Sequence, residues 1–176
     1  GEPTPIDELM DKASHALTRT DYFEAEKLCL KSMSRARAKD DFERLARICL
    51  PLQEARRQIR QLATDAGFRA VISKMPPAGA RLEPGCYLLE PPRIGIDARA
   101  IREIAARQSV PVMVLAREPL TKTGRWPLVG VGEGNPFPVS VRVQVAPPEG
   151  CIVTMEWFAA AQEALGDAAI AKIDAR

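Results

Sequence analysis

A chain of 176 residues, 46% hydrophobic and 27% charged, has the composition of a folded globular protein and the length of one medium domain or two small ones. Twenty-five basic and twenty-three acidic residues leave a net charge of +2, which gives no whole-chain electrostatic case for nucleic acid. No apolar run approaches the roughly 18–20 residues of a membrane span, and no basic-then-apolar leader is visible, so the expected setting is a reducing, cytoplasmic compartment without membrane contact.

Aromatic residues make up only 5%, so the core must be built mainly from Ala, Leu, Ile and Val. Charge is uneven along the chain. Residues 1–30 hold three basic and seven acidic residues, a balance of −4, and residues 31–60 hold nine and four, a balance of +5. Such a swing predicts solvated helix faces that pair with each other. Cys29, Cys49, Cys86 and Cys151 are too far apart for a CxxC redox or zinc motif.

Residues 5–66 carry almost no strand signal. Pro5 and Asp7 offer a helix start, and Ile6, Leu9, Met10, Ala13 and Leu17 recur at spacings of three and four. Asp21 is a candidate N-cap for a second helix with the stripe Ala25, Leu28, Cys29, Ser32, Met33 and Ala36. Asp40 or Asp41 caps a third. Its stripe runs through Phe42, Leu45, Ile48, Cys49, Leu52, Ala55, Ile59, Leu62 and Ala66, which predicts Cys29 and Cys49 as buried thiols. Pro51 lies inside this stripe, and the unbroken apolar phase predicts a kinked helix rather than two. Gly67 is a helix stop. The segments Asp21–Leu30 and Asp41–Leu50 echo each other, each with Asp, an aromatic residue and a Leu/Ile-Cys-Leu end, as two helices with the same cap and buried edge would.

The run Ala13, Ala16, Asp21, Tyr22, Ala25 and Leu28 resembles a single tetratricopeptide repeat over residues 6–39, with small residues where two helices touch and Asp-Tyr at the turn. Thirty-four residues on, Arg47, Arg56 and Ile59 do not continue the pattern, so at most one degenerate repeat plus an extra helix is present. The resemblance implies a protein partner for the helical segment.

From Phe68 the texture changes to short β-branched runs between Pro and Gly. Phe68–Lys74 and Gly85–Glu90 read as strands. Asp97 is the expected cap of a helix with Ile101, Ile104 and Ala105 on one face, and Val110–Arg117 reads as a buried strand, completing a parallel βαβ crossover. Trp126–Val131 and Val139–Val145 read as a hairpin. A helix from Thr154 buries Trp157, Phe158, Ala161 and Leu165, with Gly166-Asp167 expected to stop it and cap a last short helix. The fold class is therefore α+β: residues 1–66 form a three-helix tetratricopeptide-like segment, and residues 67–176 form a small mixed sheet of about five strands with two helices.

No catalytic residue, cofactor or metal site is assigned. His15 is the single histidine and reads as a surface or helix-packing residue, because a triad or metal site needs partners it lacks. Gly130-Val131-Gly132-Glu133-Gly134-Asn135 is followed by prolines and a strand rather than by a helix, so it reads as a hairpin loop and not a dinucleotide fingerprint. Arg44, Arg47, Arg56 and Arg60 lie along the third helix as a candidate phosphate-contacting row, diluted by Glu43 and Glu54 and lacking interleaved aromatics, so nucleic acid is disfavoured. Glu90, Arg93, Glu118 and Arg125 follow the strand ends, where ligands of open α/β sheets sit, and neighbouring strands would allow the two carboxylates to approach. The leading expectation is a non-catalytic protein–protein interaction or scaffold module. The alternative is a small-molecule site at Glu90 and Glu118.

Overall fold

The computed structural model describes residues 4–132 and 138–174. In chain order it holds α1 (Pro5–Thr18), α2 (Tyr22–Arg37), α3 (Phe42–Ala66), β1 (Phe68–Ile72), β2 (Gly85–Leu89), α4 (Gly95–Arg107), β3 (Val112–Arg117), β4 (Trp126–Gly132), β5 (Val139–Val145) and α5 (Met155–Asp174). The fold is α+β, as expected. Contacts divide it into two compact units, Gly1–Gln61 and Leu62–Arg176. The division falls inside α3 rather than at its end. The last turn of that helix belongs with the sheet: the Cys86 thiol donates to the Ala63 carbonyl, and Thr64 reaches the Met113 sulfur.

In the helical unit each helix start is capped by a short polar side chain. Thr4 caps α1, where Asp7 at the third helical position accepts from the Thr4 backbone N–H. Asp21 accepts from the Glu24 N–H, and Asp41 from the Arg44 N–H. These side chains satisfy N–H groups that have no partner within the helix. The core is small-residue dense: Ala13, Ala16, Ala25, Ala36 and Ala55 are at most 1% exposed, packed with Ile6, Leu9, Cys29, Ile48 and Leu52. Side chains of this size let helix backbones approach closely. Helix α3 runs unbroken through Pro51.

The echo between α2 and α3 holds for the caps but not for the cysteines. Cys29 is buried, whereas Cys49 is exposed and its thiol donates to the Leu45 carbonyl. At about 100° per residue, the core side of α3 set by Ile48 and Leu52 leaves Cys49 rotated outward.

In the sheet unit the strands lie in the order β1-β2-β3-β4-β5. Strands β1, β2 and β3 are parallel, with α4 as the β2–β3 crossover, and β4 and β5 follow antiparallel. Gly67 makes the α3–β1 turn at φ +83°, a backbone conformation that favours glycine. Alternation divides the sheet's side chains between two cores. Tyr87, Leu89, Val114, Ala116 and Val129 pack with Ala98, Ile101 and Ala105 of α4. Cys86, Leu88, Leu115, Trp126 and Leu128 pack with Phe158, Ala161 and Leu165 of α5. Trp126 and Trp157 stand edge to face, 5.4 Å apart.

Two helix boundaries differ from expectation. Helix α4 begins two residues before Asp97, which sits at the third helical position and accepts from the Ile94 N–H. The early start is compact: a side chain at Gly95 would meet Val129 and Val131 at under 3 Å. Helix α5 does not stop at Gly166 but continues to Asp174, because glycine only weakens a helix that its neighbours hold in place. The loop expected between Gly130 and Asn135 begins as β4 through Gly132, and residues 133–137 lie outside the described residues. No described helix is long and apolar enough to cross a membrane.

Candidate functional site

Strands β2 and β3 are neighbours, but their register separates the two glutamates. Leu89 is aligned with Ala116, so Glu90 lies beside Arg117, one residue before Glu118. Successive residues of an extended chain face opposite sides. Glu90 therefore shares the α5 side with Arg117, whose guanidinium donates to it at 3.1 Å and stacks over the Trp126 ring at 4.8 Å. Glu118 continues the β3 ladder through its N–H to the Pro127 carbonyl. It turns to the α4 side, where Arg142 of β5 donates to both carboxylate oxygens at 3.1 Å. The expected approach of the two carboxylates does not occur, because the sheet lies between them.

Each strand-end charge instead has its own partner. Arg93 faces Asp97 at 3.9 Å, and Arg125 donates to the Gln144 carbonyl at 3.0 Å. An open cleft of ≈ 460 Å³ lies beside Glu118, lined also by Pro119, Thr121, Pro127, Arg142 and Gln144. It takes in neither Glu90 nor Arg93. Its charged pair, Glu118 and Arg142, is internally neutralised.

The arginine row on α3 is partly absorbed by the helical unit. Arg44 bridges Asp7 at 3.0 Å and Asp41 at 2.7 Å, tying the start of α3 to α1. Its guanidinium holds both carboxyls below the usual carboxylate range, and they in turn raise the arginine. Arg56 pairs with Glu26 of α2 at 2.7 Å. Arg57 pairs with Glu54 and holds that carboxyl down to about 2. Arg60 is also engaged. Arg47 is exposed and has no ion pair among the described residues. These pairings convert a run of like charge into contacts between and along helices.

What the sequence reading missed is on the other side of α3. Phe42, assigned to the buried stripe, is 72% exposed, and Leu50 is equally so. Ala46, one turn from each, and Cys49 are exposed too. Leu50 carried the signal: it stands two residues from both Ile48 and Leu52, about 200° around the helix from each, so all three cannot face one core. His15 is exposed on α1. Among the described residues no group of three or more His, Cys, Asp and Glu side chains could hold a metal ion. No family model, curated protein or solved structure matches the chain.

Proposed function

We propose that the helical unit is a protein-interaction module whose docking face is the outward side of α3. The observation that carries this reading is the pair of large apolar side chains, Phe42 and Leu50, set two turns apart with Ala46 between them and exposed at 72% each. A large–small–large row of this kind suits the apolar face of a partner helix, whose anchors recur at the same spacing. Glu43 and Arg47 give the row a charged rim. The tetratricopeptide-like pattern in α1 and α2 agrees with such a role, and the strand-end charges are taken up by partners of their own.

The test is affinity capture from lysate of the source cell, read by mass spectrometry, with three forms of the full chain. These are the unaltered protein, Phe42→Ser with Leu50→Ser, and Ile170→Ser with Ile173→Ser as a second exposed apolar pair, on α5. A partner lost from the α3 variant and kept by the α5 variant supports the reading. A partner set unchanged by the α3 substitutions, in a protein with unaltered circular dichroism, overturns it.

A further inference from the structure

Along the outward side of α3 the charges are treated in two ways. Past Leu50, Glu54 and Arg57 satisfy each other within the helix at 2.8 Å. Glu43 and Arg47 stand one turn apart, in the order that favours such a pair. Yet both are exposed, and neither side chain has an ion pair or hydrogen bond among the described residues. At about 100° per residue they flank the row Phe42, Ala46 and Leu50 on one side, and the exposed Cys49 flanks it on the other. Two opposite charges and two large apolar groups are thus left open on the same two turns of one helix.

The row reads alike from either end: large, small, large. Turned end for end about a two-fold axis through Ala46, it sets Phe42 of each copy level with Leu50 of the other, while the two alanines meet at the axis and let the backbones approach. Such an axis keeps each flank of the row on its own side, so the charged flank of one copy meets the charged flank of the other. At about 1.5 Å of rise per residue, Arg47 then lies about 3 Å along the helix axis from Glu43 of the second copy, and the symmetry makes that pair twice. A parallel pairing would set the charged flank against the Cys49 flank and leave all four charges unpaired.

From this self-complementarity we infer, on the reading of α3 as a docking face, that the partner helix is α3 of a second copy of this chain, packed antiparallel about Ala46. The open charges of Glu43 and Arg47 fix the direction of the pair, and the apolar row supplies its seam. Two helical turns cover less than the ~800 Å² per partner of a standard stable interface, so the association is weak and concentration-dependent.

The test is sedimentation equilibrium of the full chain at low salt, from micromolar to millimolar concentration. A reversible monomer–dimer equilibrium is expected, abolished by Phe42→Ser with Leu50→Ser. Glu43→Arg should weaken it about tenfold by facing Arg47 with a like charge, and the swap Glu43→Arg with Arg47→Glu should restore it. Restoration is peculiar to a second copy, since the charges of any other partner would not change with the swap. Arg47→Glu is the reciprocal reversal should the first variant fail to fold. Oxidation tests the register. In a chain carrying Cys49→Ser and Cys151→Ser, Ala46→Cys should form an intermolecular disulfide, because the two copies of that position meet at the axis. Native Cys49, with Cys151→Ser, should form none: its two copies lie about 9 Å apart along the axis alone, beyond the ~4.4–6.8 Å that a disulfide spans. A chain that stays monomeric at millimolar concentration overturns the second copy as occupant and leaves the α3 face to its own capture test. A dimer indifferent to the Phe42 and Leu50 substitutions, not restored by the charge swap, or bridged through Cys49 rather than position 46 overturns it as well.

Discussion

The two units bury their apolar residues by different means. The helical unit closes on alanines, and its three aromatics, Tyr22, Phe23 and Phe42, all stay outside the buried core. The sheet unit is filled by large side chains, with Phe158 fully buried 6.1 Å from Phe68 and with Leu88, Leu89, Ile101, Leu115 and Leu128 at most 1% exposed. Close helix approach leaves little room for large groups, so each core position of the helical unit removes less apolar surface from water. Caps and the Arg44 bridge then carry more of the specification. Large apolar residues left over at Phe42 and Leu50 remain available to something else.

Substitutions can break or sharpen this contrast. The largest effect should come from Phe158→Ala, which leaves a cavity between α5 and the sheet and should destabilise the sheet unit by about 3–5 kcal/mol in urea denaturation. A loss under 1 kcal/mol would mean that this core is not tightly packed. The opposite change suits the other unit. Ala25→Leu inserts volume where there is none and should cost about 1–3 kcal/mol. Neutral behaviour there would refute close packing of α1 against α2.

Removing the bridge with Arg44→Met should lower the melting temperature at neutral pH, and the effect should have a definite pH signature. Asp7 and Asp41 are held below their ordinary values in the folded chain. Their contribution is therefore complete above the unfolded value of about 3.9 and is lost as pH falls from there toward the folded values. Melting curves of the variant and the unaltered protein should converge over that acid range, and a constant gap would assign the loss to packing alone. The smallest effect, and of opposite sign, is expected for Gly166→Ala. An added Cβ meets nothing within 4 Å in the middle of α5, so stability should rise by about 0.5–1 kcal/mol.

Much of the architecture was legible because periodicity and caps speak locally. Asp21 and Asp41 start α2 and α3, Gly67 ends the helical stretch, and the valines of β5 alternate as an edge strand should. The failures came where distant contacts decide. Nothing near Gly166 announces that Leu165 is buried against the sheet and that α5 continues past it to Asp174. Asp97 looks like a cap from the sequence, yet Gly95 fits so closely against Val129 and Val131 that the helix begins earlier. The strand-end glutamates illustrate register: both were placed correctly after neighbouring parallel strands, but an offset of one residue puts them on opposite faces. Phe42 and Cys49 fit an apolar count and fail a phase count.

The placement of the two tryptophans has a practical consequence. Trp126 and Trp157 are the only indoles in the chain, and both belong to the sheet unit, in edge-to-face contact with each other and with Arg117 stacked on one of them. Intrinsic emission is therefore a local gauge of the β4–α5 region. The helical unit, Gly1–Gln61, holds no tryptophan, so a spectroscopist following that signal alone would have no reporter placed within α1 or α2.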